Sequence, residues 1–589
     1  LKSPSFFENP TWKFNSNVSV TYTPVKELVL SAIGGYNFTH YETKLFRSTM
    51  RLNDNVTMGP SSLSQSAERT LYKTFQATAD YNKKIGNHNV SALLGYSFEK
   101  QSYRDLVGSR DKFPGNDLPF LDSGAPDNQQ TSGGGYDWAI QSLFGRVKYN
   151  YNEKYLFEAT VRDDGSSRFP TTRKYGFFPS LAAGWRISEE PFVKNRFSWI
   201  TNLKLKASLG KLGNQNIGNY PWQSTFALGR DYPFGGVLKQ GASMVTLTDP
   251  NLHWESTQTS DGGFESSFWN GKLNLNVSYF YRKTSDILYK PTSSVSTVLG
   301  MALSEMNTGS LKNSGWEIEL GHQNKIGELK YHINGNFTLV QNEVLDLGVG
   351  NVKQPNGLTG NGTDLFIDYP MQLYYGLVTD GVFLDQADID AWYLKNDQTS
   401  INPKTGAKPG DFRYVDLSGD GKVDLSNDRK VLGSRIPKYN YSFNLGLEYK
   451  GFDFSAMFQG VAGVQGLLNN LGTIQEWMWQ GRFNPASPTR YPAYPRLQVL
   501  GNAAGVNGQL SDYWVLNASY LRLKNIQIGY TFSPKVLKLL HVDGLRIYAN
   551  AENPVTFDHY RKGWDPEINS GGEFYPILAT YTFGINLKF

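Results

Sequence analysis

The densest chemistry in this sequence lies in the run Asp416-Leu417-Ser418-Gly419-Asp420-Gly421-Lys422-Val423-Asp424. Numbered from Asp416, oxygen-bearing side chains fall at positions 1, 3, 5 and 9, with glycine at 6 and an apolar residue at 8. A hard divalent cation gathers several oxygens. Glycine at 6 permits the sharp turn, and position 7, Lys422, offers its backbone carbonyl. The spacing predicts a loop that holds Ca2+ or Mg2+ through Asp416, Ser418, Asp420, Lys422 and Asp424. Such an ion would tie several carboxylates together and stiffen its surroundings. Position 12 should be glutamate. Asn427 stands there instead, and Asp428 one place later is expected to close the site. The competing reading is an Asp/Gly-rich turn without metal.

Aromatic residues in polar surroundings form the second group. Trp477 and Trp479 flank Met478, Tyr374 precedes Tyr375, Trp392 precedes Tyr393, and Tyr220 lies two residues from Trp222. Sugars stack on aromatic faces, and the same rings bind peptides by apolar contact. For each ring the alternative is packing of one loop on another. No catalytic set is visible. The seven histidines are scattered, and neither His-Glu-x-x-His, Gly-x-Ser-x-Gly nor a phosphate-binding Gly-rich Lys loop occurs. Asp163, Asp164 and Arg168 read as residues that fix the start of a loop. A non-enzyme is expected.

The elements that must position these residues are strands. Between 439 and 449 one face reads Tyr439, Tyr441, Phe443, Leu445, Leu447 and Tyr449, while the other is polar or small. Lys450-Gly451 makes a tight turn, and alternation resumes at Phe452. About seventeen segments follow this grammar, at 12–23, 27–39, 70–82, 88–99, 140–150, 154–163, 176–188, 202–210, 255–268, 272–284, 315–324, 328–340, 439–449, 452–461, 518–532, 544–553 and 576–589. Connectors alternate between mostly short ones and long ones, the latter including 40–69, 100–139, 211–254, 341–438 and 462–517. Short turns at one end and long loops at the other describe a transmembrane β-barrel, and a compact soluble domain carries few such loops. The apolar faces are rich in Tyr and Phe, as interfacial girdles require.

Composition excludes several classes. Cysteine is absent, which removes disulfide scaffolds and thiolate metal sites. The net charge of +5 is too even for nucleic-acid binding through bulk charge. No stretch reaches the roughly 20 apolar residues of a spanning helix. The predicted fold is all-β, an antiparallel transmembrane β-barrel with long extracellular loops, set among outer-membrane lipid. A passive porin and an outer-membrane barrel enzyme are the alternatives.

The last strand alternates Tyr581, Phe583, Ile585, Leu587 and Phe589 and ends on that aromatic. It looks like the signal read by outer-membrane assembly machinery. With it go the run from Arg162 to Phe169, the run from Phe178 to Arg186, LKLKASLGKLGNQNIG at 203–218, Asn251-Leu252-His253-Trp254-Glu255 and Tyr520-Leu521-Arg522-Leu523-Lys524-Asn525. Together these stretches resemble the TonB-dependent outer-membrane transporters of the SusC/RagA type. The resemblance implies active import of oligosaccharides or peptides, a SusD-like surface lipoprotein as lid, energy from the TonB complex, and a plugged barrel of about 22 strands. Residues 1–589 then read as the C-terminal part of such a barrel, with no plug domain and with an odd number of initial strands lying elsewhere. Residues 1–11 are expected on the extracellular side.

Overall fold

The computed structural model describes residues 4–291, 298, 300–396, 401, 404, 406–468, 476–497, 506–568 and 577–589. One antiparallel sheet dominates, built from eighteen segments. The first two, Phe6–Glu8 and Thr11–Val25, lie end to end along the same neighbour and act as one strand interrupted at Asn9-Pro10. The wall therefore has seventeen strands: β1 (Thr11–Val25), β2 (Leu28–Arg47), β3 (Ser62–Ile85), β4 (His88–Asp111), β5 (Gln130–Tyr151), β6 (Tyr155–Ser166), β7 (Tyr175–Arg186), β8 (Ile200–Asn214), β9 (Glu255–Phe268), β10 (Leu273–Ser285), β11 (Ser310–Ile326), β12 (Leu329–Asp346), β13 (Tyr439–Tyr449), β14 (Phe452–Ala462), β15 (Tyr520–Thr531), β16 (Gly544–Asp558) and β17 (Thr580–Lys588). Each pairs with the next in the chain. Among the described residues, β1 and β17 each have a strand on one side only.

Every predicted segment is a strand, but several ends move. β2 to β5 run for 20 to 24 residues, about twice what a membrane needs. The segments expected to be loops at 40–69 and 100–139 are therefore mostly strand, and the true connectors there are 48–61 and 112–129. Alternation fails as a guide in these extensions because both faces meet water or other loops. Polar residues then occupy both parities, as in Gln65-Ser66 and Arg110-Asp111. Of the longer inward connectors, 189–201 carries a helix at Pro191–Lys194 and 533–543 carries one at Pro534–Leu540.

The tight turns follow from local chemistry. Lys450 and Gly451 both have positive φ, 47° and 89°, which matches the twist of the flanking strands. All short connectors lie at one end. Phe6–Glu8 pair with the opposite end of β2, and Phe6 packs on Phe46, Leu63 and Phe113, so this segment lies on the long-loop side, the side expected for residues 1–11.

The wall curls around a lumen. One cavity of about 760 Å³ touches Asn82 on β3, Glu158 on β6, Lys206 on β8, Asp261 on β9 and Glu317 on β11. Its polar lining matches the polar parity of the strands, and ion pairs such as Lys206–Glu265 (3.0 Å) and Lys148–Glu158 (3.4 Å) bridge neighbouring strands there. The other parity, including Val20, Leu94, Leu143 and Leu209, faces outward and is exposed. Buried apolar side chains instead gather at the long-loop end, where the largest cluster holds Leu377, Phe412, Tyr414, Val423 and Trp514.

Facing predicts tolerance. Leu445→Arg is expected to destabilise the barrel by about 2–4 kcal/mol near the bilayer midplane, because a cation there loses its hydration. Asn444→Arg, on the lumen side, should be far milder. Denaturant unfolding of both variants in lipid checks this, and equal costs would reverse the assignment of faces.

Candidate functional site: the extracellular mouth

Three long connectors, 347–438, 463–519 and 559–579, build one lobe above the lumen. Backbone bonds stitch the first two together: the Leu377 amide donates to the Leu510 carbonyl (2.9 Å), and the Val382 amide to the Arg490 carbonyl (2.9 Å). Apolar burial then welds in the third, since Tyr560 joins the cluster around Trp514 and the Arg561 guanidinium lies over the rings of Tyr494, Tyr513 and Trp514.

Buried ions hold the lobe's frame. Asp411 is fully buried and accepts bonds from the Arg496 side chain, Asn507 Nδ2 (3.0 Å) and the Lys408 amide (2.9 Å). Asp388 accepts from Arg490 and from the Leu384 amide, with Arg413 alongside. Burial alone would push the Asp388 carboxyl up. The Arg490 bond, the Leu384 amide and Arg413 outweigh it and hold the carboxyl below its ordinary range.

The lobe is moored to the inner wall by Arg522. This side chain projects from the lumen face of β15 and is 1% exposed. Its Nη2 donates to Asp565 (2.5 Å), its Nη1 to Glu567 (2.6 Å) and its Nε to the Thr556 hydroxyl of β16 (2.9 Å). One planar cation thus joins two strands and the last connector, as a guanidinium fork allows. Beside it is a pocket of about 290 Å³, lined by Tyr374, Arg435, Gln465, Tyr520 and Glu567 among others. Val461 and Tyr520 lie on the lumen parity of β14 and β15, so the pocket sits where the lobe meets the barrel mouth.

The predicted site residues do not converge. Tyr374 is buried. Its hydroxyl accepts a bond from the Leu467 amide (3.0 Å), and the Arg435 guanidinium covers its ring. Trp392, on the helix Gln386–Tyr393, packs against Phe383 and Tyr393. Trp479 is exposed, and the Arg482 guanidinium lies 3.5 Å from its ring centre. Trp477 falls in the helix Glu476–Gly481, but its side chain lies outside the described residues. Tyr220 and Trp222 are on the other side of the mouth. Tyr220 donates to the Asp137 carbonyl (2.8 Å), and Trp222 packs on the cluster of Phe169, Phe178 and Trp254. There Arg168 bonds Asn219 and the Gln215 carbonyl and lies over Trp138, fixing the connector that follows β8. Asp164 pairs with Arg162 at 2.7 Å. Most of the described rings are thus occupied by neighbours, and among them only Tyr374 lines the mouth pocket.

The residues that complete the pocket, Arg435, Gln465 and Glu567, carry no local signature. Each depends on partners about thirty to sixty positions away, as Gln465 does in accepting from the Ser434 amide.

In the 416–428 loop the carboxylates serve the loop's own amides. Asp428 is fully buried and accepts from the amides of Leu417 (2.9 Å), Ser418 (3.0 Å) and Asp424 (2.8 Å). Asp416 accepts from Gly419 and Gly421, and Asp424 from Ser426 and Asn427. Lys422 Nζ lies 3.9 Å from Asp420 and 3.6 Å from Asp424. Among the described residues no group of three acidic or histidine side chains converges as a metal centre.

A seventeen-strand meander with a polar lumen and a folded extracellular lobe narrows the choice of families, and comparison with known proteins decides it. The model of the family "TonB dependent receptor-like, beta-barrel" matches residues 2–553. The chain belongs to this family. It is an outer-membrane β-barrel protein. It is 29% identical over 617 residues to TonB-dependent receptor P26 of Formosa agariphila, covering 99% of this chain and 60% of the relative. It is 26% identical over 634 residues to TonB-dependent receptor SusC of Bacteroides thetaiotaomicron, covering 100% and 60%. The RagAB peptide transporter shares its fold at a TM-score of 0.79 and 24% identity, covering 100% of this chain and 63% of that one. The chain thus spans about three fifths of the proteins it matches.

The mooring is testable. Arg522→Ala leaves Asp565 and Glu567 without their cation, and breaking a buried pair costs about 3–5 kcal/mol. Faster protease cleavage between 559 and 568 is expected, with the barrel itself still resistant. An unchanged cleavage rate would show that apolar packing alone holds the connector.

Proposed function

We propose that this chain is the larger part of the barrel of an active importer that takes up oligosaccharides or peptides. A plug and the first strands, supplied by sequence outside residues 1–589, would complete it. A SusD-like lipoprotein would sit over the extracellular lobe, and the TonB complex would supply energy through the plug. The observation that carries this reading is the folded lobe moored over a polar lumen. A passive porin works by leaving its mouth open, whereas a lobe with its own core and buried ion pairs forms a structured entrance and a broad platform for a partner. Family membership supports the same class. The mouth pocket with Tyr374, Arg435 and Gln465 is the first contact proposed for substrate, and no catalytic role is assigned.

Uptake by cells expressing the complete receptor tests this. Labelled oligosaccharide and labelled peptide mixtures are supplied in turn, with and without the TonB complex. Uptake of one class that stops without TonB, and falls at least tenfold in Arg435→Ala with Gln465→Ala, is the expected result. TonB-independent entry of small solutes of any class would favour a porin.

We also propose that the 416–428 loop holds calcium or magnesium, a reading supported by its oxygen spacing. If a cation contributes, chelator should speed protease cleavage there. If amide bonds to Asp428 suffice, chelator should do nothing, while Asp428→Ala should open the loop in either case.

A further inference from the structure

The outward face of β3 and β4 changes character along its length. Near the short-turn end it is apolar. A groove of about 480 Å³ runs across β1 to β5, lined by Val20, Leu30, Ala32, Ala77, Leu94 and Leu143 among others. Two residues further along β3 is Phe75, with Phe98 two beyond Tyr96 on β4. Next come Lys73 and Lys100, directly opposite each other, and four residues beyond them Arg69 and Arg104, again directly opposite. All four cations share the parity of the groove residues and all four are exposed. From Ala77 to Lys73 is about 13 Å along the strand, and from Lys73 to Arg69 about the same.

Two successive like-charge pairs across neighbouring strands are unfavourable by themselves. Little nearby relieves them. Arg104 pairs with Asp137 at 3.0 Å. Among the described residues, Arg69, Lys73 and Lys100 form no ion pair. Glu42, on the outward face of β2, is bonded to His40. The carboxylates of Glu68, Glu99 and Asp105 belong to the opposite parity, and Glu99 accepts from Tyr72 on the lumen side. Lys73 lies over the Tyr36 ring at 5.9 Å, and Lys100 shares the field of the Asp137 carboxylate that Arg104 pairs with. Three cations without an ion pair of their own thus stand just above an apolar, membrane-facing groove and its aromatic border. At that depth the available anion is a lipid headgroup.

We propose that this wall binds one anionic membrane lipid. Its hydrocarbon chain lies in the groove and its phosphate bridges Lys73 and Lys100, with Arg69 above. The apolar and charged parts match in order along the membrane normal, which a soluble anion would not require. Cations near a membrane surface each contribute about a fivefold factor to binding of acidic lipid. Removing three should therefore weaken retention about a hundredfold.

The test uses the complete receptor purified in neutral detergent. Phosphatidic acid and diacylglycerol of identical chains are offered, and bound lipid is counted by native mass spectrometry. Retention of phosphatidic acid at least tenfold above diacylglycerol is expected, undisturbed by millimolar inorganic phosphate. Arg69→Gln with Lys73→Gln and Lys100→Gln should abolish that preference, and the lumen-side control Lys148→Gln should keep it. Equal retention of the two lipids, displacement by inorganic phosphate, or a triple variant that binds as before would each overturn the proposal. If the triple variant does not assemble, the comparison of the two lipids on the unmodified receptor decides alone.

Discussion

Hydrocarbon offers no hydrogen-bond partner, so every backbone N–H and C=O that crosses the membrane must find one in the protein. That constraint shapes everything else in this chain. It dictates strands paired edge to edge in chain order, and hence the alternation of short inward turns with long outward connectors. It also leaves the outermost strands as the edges of the wall. β1 and β17 have a neighbour on one side only among the described residues, and both expose apolar side chains such as Phe14 and Phe583.

The wall inverts the usual arrangement of apolar groups. Its hydrophobic parity faces out and its polar parity lines the cavity, so the strands have no core between them. Apolar burial of the ordinary kind instead gathers mostly at the long-loop end, and its largest cluster lies in the extracellular lobe, where loops from three places along the chain share it. The lobe has the anatomy of a small domain whose chain enters and leaves through the barrel. Its position depends on the strands beneath it, and Arg522 is the clearest link between the two.

Charged groups in this lobe are buried only with partners. Asp411, Asp428 and Arg522 each satisfy several donors or acceptors at once. Removing any one would strand the others, which is why such groups fix a conformation more firmly than their net energy suggests. Asp428 shows the principle at the smallest scale. A carboxylate one place beyond the expected ligand position closes its loop on three amide protons.

The sequence by itself determined the membrane wall, because period-two alternation is a local property. Lipid and water act on each residue of β13 and β14 independently of distant contacts. The same logic placed all seventeen strands, whereas the expected orientation of the chain came from the family resemblance of its last strand. Alternation failed above the membrane, where β2 to β5 continue with polar residues on both faces and only strand pairing keeps them extended. The mouth was decided by tertiary structure. Tyr374 was visible as an aromatic, but its burial under Arg435 and its bond to Leu467 depend on loops that meet only after the barrel brings their ends together. Arg435, Gln465 and Glu567 are ordinary polar residues in the sequence. Their assembly into one pocket rests on contacts between segments far apart in the chain, which no local pattern encodes.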